Sequence, residues 1–274
     1  MGDLGRLIPV VLVTAFICVS EILAVPGKVT PYTQKLIVDS HNAFRKRIAP
    51  NATNMMKMVW DEALAEEAMK HALRYSMEHD NYYDRYSDSL PGVATGQNLC
   101  YGSIGWSDCL NKWFKEGDDF EYGTGSLTGN AWDVLHAAQI LYWKTNRIGC
   151  ARGVCGCSAY FVCNYAYTLV WEEYSVPWKN GQPCEACPNN CVDGLCDCGG
   201  KMCMNDGSLD LGTCECTCIN HPNSPFQGDE CQSLNCAVSS PGYCNGYTND
   251  LQDMYCRIYT NLRNECPHFC KRCE

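Results

Sequence analysis

The chain has a gap in its cysteines: none occurs between Cys18 and Cys100, although 23 are present in 274 residues. Sixteen of the 23 lie between Cys184 and Cys273. Such a thiol-rich stretch can form a disulfide framework only if the protein is exported to an oxidising compartment. We therefore expect a larger part that folds around an apolar core, followed by a tail of small modules stapled by disulfides.

Basic residues and long apolar runs are also scarce. The 21 Lys and Arg are outnumbered by 31 Asp and Glu, which gives a formal net charge of −10. Because phosphate binding relies on Lys and Arg, this balance argues against a nucleic-acid partner. Beyond the N-terminus no stretch approaches about 18 apolar residues, so we expect no transmembrane anchor. The expected partner is an extracellular protein, a receptor or a small ligand.

Several catalytic motifs are absent. The chain has no G-x-S-x-G nucleophile elbow, no H-E-x-x-H helix and no glycine-rich phosphate loop with lysine. The nearest approach to an elbow, residues 123–129 (GTGSLTG), lacks the glycine spacing, and we interpret it as a loop. These absences favour a non-catalytic protein over an enzyme.

The N-terminus has the layout of a secretory signal peptide. A basic residue precedes an apolar run over Leu7–Val19, which is too short to span a bilayer comfortably, and small residues follow. A buried helix of the mature domain is the alternative, but it fits poorly with a position at the very start. We predict a signal peptide over residues 1–24, with cleavage after Ser20 or Ala24. Its removal takes Cys18 and leaves an even number of cysteines, so that every thiol can pair.

A glycosylation sequon follows in the mature chain. Asn51-Ala52-Thr53 fits a secreted glycoprotein, and Asn51 is the predicted glycan site.

Helical periodicity occupies the region from residue 31 to about 175. Apolar residues at three- and four-residue spacing predict a helix over Ile37–Ile48 and a second from Trp60 to about His79. A short third helix around Trp106–Trp113 would place Glu116 on its buried side, and a fourth covers Ala131–Trp143.

A strand is predicted over Tyr160–Trp171, where aromatic and branched residues dominate. Helices combined with strands in about 140 residues indicate an α/β sandwich with one core.

After Pro177 the helical and strand patterns end and cysteines become frequent. Their spacing separates a compact first set, a second set of six that overlaps it, and a third set of six. In chain order these are Cys184, Cys187, Cys191 and Cys196; Cys198, Cys203, Cys214, Cys216, Cys218 and Cys231; and Cys236, Cys244, Cys256, Cys266, Cys270 and Cys273. Spacing alone leaves the connectivity open. In the larger part, Cys100 and Cys109 are candidates for a local pair, and the remainder is shared among Cys150, Cys155, Cys157 and Cys163.

Three ordered groups of motifs resemble a known family. They are residues 41–45 (HNAFR) with 58–60 (MVW) and 64–65 (LA); residues 96–99 (GQNL); and residues 136–142 (HAAQILY) with 148–151 (IGCA) and 161–165 (FVCNY). In this order they are similar to the CAP superfamily of cysteine-rich secretory proteins, venom allergen antigens and plant pathogenesis-related proteins. The resemblance implies a CAP domain over residues 31–176 that folds as a three-layer α-β-α sandwich, an α+β fold.

The tail resembles three smaller units. Residues 177–197 are similar to the hinge of cysteine-rich secretory proteins, residues 198–231 to an EGF-like module, and residues 236–273 to the sea-anemone toxin (ShKT) module. The toxin resemblance implies the disulfides Cys236–Cys273, Cys244–Cys266 and Cys256–Cys270.

Potassium-channel block is not expected from this toxin-type module. Blockers of that type carry a lysine and an aromatic residue where this chain has Thr260 and Asn261. Because a lysine ammonium is needed to plug a cation pore, we interpret the module as a binding or spacer unit.

The CAP resemblance implies a central cleft lined by two histidines and two acids. The matching positions are His79, His136 and Glu116, while Gln97 stands where the second acid is expected. A neutral amide cannot take a proton near neutral pH, so a two-carboxylate acid–base scheme loses one member. His79 and His136 could still hold Zn²⁺, with a carboxylate nearby and an open coordination position.

The alternative is a purely structural pair, in which His79 and His136 form hydrogen bonds that link helices. Two further histidines have other expected roles. His41, one turn before Arg45, is expected to order the core, and His71 is expected on a solvated helical surface.

Three functions follow from these observations. The first is a secreted binding protein whose cleft takes a divalent metal or a small or lipid ligand. The second is a venom-type protein that modulates ion channels, suggested by the hinge and toxin-type tail. The third is a metal-dependent endopeptidase that uses His79, His136 and Glu116.

Overall fold

A five-stranded sheet lies at the centre of the N-terminal part of the computed structural model, which describes residues 27–81, 85, 89–155, 158–221, 224–234, 236–237, 241–247 and 252–273. The strands are β1 (Gly27–Lys28), β2 (Val59–Trp60), β3 (Thr95–Tyr101), β6 (Arg147–Cys155) and β7 (Ser158–Ala166). β6 pairs antiparallel with β7, and β7 pairs antiparallel with β3. β1 and β2 both pair with β6, β1 antiparallel and β2 parallel. A separate ladder joins β4 (Phe120–Glu121) to β5 (Gly125–Ser126).

Four helices cover this sheet: α1 (Pro31–Arg45), α2 (Glu62–Arg74), α3 (Trp106–Lys115) and α4 (Leu135–Leu141). The first two begin where the sequence offers capping oxygens. The side chain of Thr30 accepts the backbone N–H of Thr33, and that of Asp61 accepts the backbone N–H of Leu64. Short 3₁₀ helices follow at Glu116–Asp119, Ala131–Asp133 and Trp171–Glu173.

The helices divide between the two faces of the sheet. On one face, residues of α1, α3 and α4 such as Ile37, Trp113 and Ile140 pack on Phe161 and Tyr165. On the other face, Ala68 and Ala72 of α2 pack on Tyr160 and Val162 of β7. Because side chains alternate along a strand, β7 supplies both cores. The result is the three-layer α-β-α arrangement of an α+β fold.

The tail consists of small strand ladders and two short helices. The strands are β8 (Cys191–Val192), β9 (Leu195–Cys196), β10 (Ser208–Asp210), β11 (Glu215–Thr217), β12 (Asn220–His221), β13 (Ser224–Gln227) and β14 (Ser233–Leu234). A 3₁₀ helix at Gly242–Gly246 precedes α5 (Gln252–Ile258) and α6 (Thr260–Glu265).

Nine disulfides hold the described residues together, eight of them in the tail. Cys150–Cys163 joins β6 to β7. Cys184–Cys191 and Cys187–Cys196 form the first tail set, and Cys198–Cys214, Cys203–Cys216 and Cys218–Cys231 form the second. The third set contains Cys236–Cys273, Cys244–Cys266 and Cys256–Cys270, the pairs that the toxin resemblance implies.

Cys100 and Cys109 carry free thiols, which differs from the expectation that every thiol pairs. Cys100 lies in β3, Cys109 lies in α3, and both are buried in the core shared by these elements. A hydrogen bond from Cys109 is the largest contribution that lowers the pKa of Cys100, to about 7. Burial raises the pKa of Cys109 well above the usual thiol range.

Several predicted boundaries were wrong. The second helix ends at Arg74 because Tyr75 adopts the left-handed conformation, so His79 lies in the loop beyond it. The predicted strand at Tyr160–Trp171 is β7, which ends at Ala166. Strands β3 and β6 were not predicted as strands, since their glycines and buried polar residues obscure a two-residue periodicity.

The predicted signal peptide at residues 1–24 lies outside the described residues. Among the helices that the structure describes, none combines the length and apolar character required to cross a bilayer.

Candidate functional site

One half of the candidate cleft is a direct pair between Glu116 and His136. Glu116 follows α3, and its Oε1 lies 2.6 Å from Nδ1 of His136. Its Oε2 accepts the backbone N–H groups of His136, at 2.9 Å, and of Ala137, at 3.3 Å. The carboxylate therefore satisfies backbone donors at the start of α4 and also directs the His136 ring.

Packing fixes the plane of this ring. The indole of Trp113 stacks on His136 with centroids 6.0 Å apart. The indole N–H of Trp113 donates to the carbonyl oxygen of Leu99 at 3.2 Å, which ties the stack to β3. With Nδ1 turned toward Glu116, Nε2 is the nitrogen of His136 that remains for a ligand.

The other half of the cleft joins His79, Gln97 and Asp80. Oε1 of Gln97 lies 3.1 Å from Nδ1 of His79 and accepts the backbone N–H of Asp80, also at 3.1 Å. Nε2 of the same amide donates to Oδ2 of Asp80 at 2.9 Å. These contacts assign the orientation of the amide, with its oxygen toward the imidazole.

The surroundings of His79 favour its neutral form. Burial is the largest contribution that lowers its pKa, and the positive charges of Arg85 and His136 act in the same direction. The hydrogen bond with Gln97 opposes them. Because a neutral imidazole has one N–H and Gln97 Oε1 can only accept, the proton lies on Nδ1 and the lone pair on Nε2.

The two halves meet at strand β3. Gln97 contacts His79, while the side chain of the adjacent Asn98 donates to the backbone oxygen of His136 at 3.2 Å. The structure thus places Gln97 against His79 and Glu116 against His136, and strand β3 contacts both histidines.

Sequence reasoning missed the groups that surround Asp80. Oδ1 of Asp80 lies 2.9 Å from Nδ1 of His71, and the guanidinium of Arg74 also pairs with this carboxylate. Burial raises the pKa of Asp80, but hydrogen bonds with His71 and Gln97 and the charge of Arg74 together lower it. The expectation that His71 is solvated was wrong: its side chain is 1% exposed, because α2 packs that face on β7.

His41 is buried in the core. Its Nδ1 lies 2.8 Å from the carbonyl oxygen of Ile37, and its Nε2 lies 3.0 Å from the hydroxyl of Tyr165. Both ring nitrogens are used inside the sandwich, as expected for a residue that orders the core.

His79 and His136 are the two residues of the cleft that would hold a divalent cation. In the parts of the chain that the structure describes, no three His, Cys, Asp or Glu side chains converge as a metal cage. The imidazoles of His79 and His136 remain, and each is oriented through Nδ1 by an acceptor. This is the arrangement in which metal-binding histidines are usually held. Zn²⁺ would take the two Nε2 atoms and complete its coordination with water or another ligand.

Comparison with known proteins identifies the family. The profile of the cysteine-rich secretory protein family (CAP) matches residues 38–165. A cysteine-rich venom protein, Mr30 of Conus marmoreus, is 35% identical over 262 residues, covering 91% of this chain and 83% of that protein. The chain belongs to the CAP family of cysteine-rich secretory proteins.

Two further relatives are similar to a smaller part of this chain. Human cysteine-rich secretory protein 3 is 36% identical over 175 residues, covering 61% of this chain and 69% of that protein. The crystal structure of Na-ASP-1 superposes with a TM-score of 0.50 at 23% identity, covering 63% of this chain and 48% of that one. At this identity the superposition shows the fold alone.

Proposed function

We propose that the protein is a secreted extracellular binding protein whose CAP cleft captures a divalent cation, with Zn²⁺ as the best candidate, through His79 and His136. One observation carries the proposal: both imidazoles are anchored at Nδ1, at 3.1 Å by Gln97 and at 2.6 Å by Glu116. The Nε2 lone pairs are thereby directed away from the acceptors that hold the rings.

Extracellular location is part of this proposal. The nine disulfides of the described residues require an oxidising compartment, and relatives named as secretory and venom proteins share the fold-bearing region. Asn51 is exposed at the proposed glycan site.

Zn²⁺ supplies a positive charge and an open coordination position when it is bound. The residues of this chain do the rest: Glu116 and Gln97 hold the two rings, and Trp113 fixes the plane of one. A ligand that coordinates the cation, such as a carboxylate or a small amphipathic molecule, would then be recognised in the same cleft.

Thermal unfolding with and without Zn²⁺ tests the proposal. A cation that binds only the folded state at a concentration of 100 times its Kd stabilises it by about 2.7 kcal/mol, which should raise the Tm by several degrees. The double variant His79→Ala, His136→Ala should lose this shift, whereas His268→Ala, at an exposed position of the tail, should retain it. An equal shift in all three proteins would contradict the cleft as the site.

A metal-dependent endopeptidase is a further candidate, because Glu116 and His136 form a close carboxylate–imidazole pair of the kind that moves protons. Chelator-sensitive cleavage of peptides by the wild-type protein, abolished in Glu116→Gln, would favour it over simple capture. A venom-type role is supported by the similarity to the cysteine-rich venom protein Mr30 of Conus marmoreus, and channel modulation would appear as altered currents on addition of the full chain.

A further inference from the structure

A carboxylate is expected in direct contact with His79. In this structure the carboxylate of Asp80 instead reaches His79 through one intervening side chain, the amide of Gln97. We propose that Asp80 is the positioning residue of this half of the cleft: acting through the Gln97 amide, it sets the tautomer of His79 and presents Nε2 to the cation. The role toward the cation rests on the proposed function, whereas the tautomer is a property of the protein itself.

Each hydrogen bond from Asp80 through Gln97 to His79 fixes the donor and acceptor of the next one. An ionised carboxylate can only accept hydrogen bonds, so Asp80 must face the NH₂ group of Gln97, which lies 2.9 Å from Oδ2. The oxygen of the amide then points the other way, where it meets Nδ1 of His79 and the backbone N–H of Asp80. Since this oxygen also can only accept, Nδ1 must carry the proton.

Asp80 is itself held at its other oxygen. Oδ1 lies 2.9 Å from Nδ1 of the buried His71 and pairs with Arg74, and Nε2 of His71 lies 2.7 Å from the hydroxyl of Tyr160. α2 and β7 therefore anchor the carboxylate, and the amide of Gln97 transmits its orientation to the loop that carries His79.

The two halves of the cleft are equivalent in outcome but built differently. Glu116 contacts His136 directly, while Asp80 reaches His79 through an amide. A glutamate at position 97 would place two carboxylates within hydrogen-bond distance of each other, which is unfavourable unless one is protonated. Glutamine suits this position because it donates to a carboxylate at one atom and accepts from an imidazole at the other.

The test is the tautomer of His79, read by two-bond ¹H–¹⁵N correlation in the full-length protein labelled at histidine, at a pH where the ring is neutral. The wild type should show the Nδ1–H form. Asp80→Asn replaces one carboxylate oxygen, which can only accept, with an NH₂ group that donates. The amide of Gln97 is then no longer held in one orientation, so the Nδ1–H fraction of His79 should fall. Zn²⁺ affinity should weaken by about 10-fold or more, the usual effect of losing an outer-shell partner.

Two further variants make the outcome decisive. Gln97→Met interrupts the same chain while keeping Asp80, and should change the His79 tautomer even if Asp80→Asn fails to fold. Asp39→Asn makes the same chemical change at an exposed helical ion pair and should leave the tautomer unchanged. A pure Nδ1–H form of His79 in the folded Asp80→Asn and Gln97→Met proteins would overturn the proposal. If the two variants lose the Nδ1–H preference of His79 but the wild type binds no Zn²⁺, the positioning role of Asp80 is supported and the proposed cation is rejected.

Discussion

At the scale of single residues, the core of the sandwich contains polar groups that are held by backbone oxygens. The guanidinium of Arg45 is 1% exposed and donates to the carbonyl oxygens of Met56, Ile140, Tyr142 and Trp143. Burial lowers its pKa to about 9, which leaves it charged at neutral pH. Arg45 thereby ties α1 to the end of α4 and to the chain that follows it.

His41 should make the stability of the protein depend on pH. Burial is the main cause that lowers its pKa to about 4, the charge of Arg45 adds to it, and the hydrogen bond with Ile37 opposes. An unfolded histidine takes its proton near its ordinary pKa, about 6.5. Between these two values the unfolded state binds more protons, so the free energy of unfolding falls as the pH falls.

We expect urea unfolding of the wild type to show this loss from about pH 6.5 down to about pH 4, with His41 contributing about 3 kcal/mol. His41→Gln cannot titrate and should give a flatter profile over the same range, even if it is less stable at pH 7. Parallel profiles for the two proteins would contradict the assignment.

At the scale of elements, the contact between α2 and β6 depends on Gly149, which has no side chain. A Cβ at Gly149 would lie 2.1 Å from the backbone nitrogen of Ala65 and 2.4 Å from the carbonyl oxygen of Asp61. These are backbone atoms at the start of α2, which cannot move aside without lifting the helix from the sheet. The glycine is required by this close approach.

Gly149→Ala should therefore destabilise the protein by about 1–3 kcal/mol, the usual range for overpacking, measured as the free energy of unfolding in urea. Gly242→Ala provides the matched control, because no heavy atom lies within 4 Å of the position a Cβ would take there. Its stability should stay near that of the wild type. A similar loss in both variants would point to a general cost of alanine at these sites.

At the scale of the whole molecule, the first part of the tail is docked on the CAP domain. Arg147 of β6 pairs with Asp61 at 3.2 Å and with Glu230 at 2.6 Å, and donates to the carbonyl oxygen of Gly200 at 2.5 Å. Met202 and Met204 join an apolar cluster with residues of the CAP domain, including Leu64 and Val93. The α-β-α sandwich and the tail residues Met202 and Met204 therefore share one apolar cluster.

Arg147→Leu should lower the free energy of unfolding by about 2–3 kcal/mol, because it leaves two partly buried carboxylates without their cation. The value is below the range for fully buried pairs since the Arg147 side chain is 19% exposed. Lys28→Met removes a largely exposed partner of Glu66 and should change stability little. If urea unfolding shows equal effects for the two variants, Arg147 does not hold the junction.

Much of the fold was accessible from local patterns. Helices α1, α2 and α3 were predicted from three- and four-residue apolar spacing, and β7 from its branched and aromatic residues. The motifs also pointed to the two histidines, Gln97 and Glu116. Asp80 was missed because it has no motif of its own: its contact with Gln97 spans 17 residues and exists only when the loop after α2 returns to β3.

The amino-acid sequence by itself determined the division into a core-bearing domain and a cysteine-rich tail, because cysteine spacing and apolar periodicity are local properties of the chain. It also determined the α-β-α family fold through ordered motifs. Only the tertiary structure decided which imidazole nitrogen faces the cleft, and that Cys100 and Cys109 remain thiols in the core. The physical reason is that hydrogen-bond direction and burial depend on groups that are distant in sequence and adjacent only after folding.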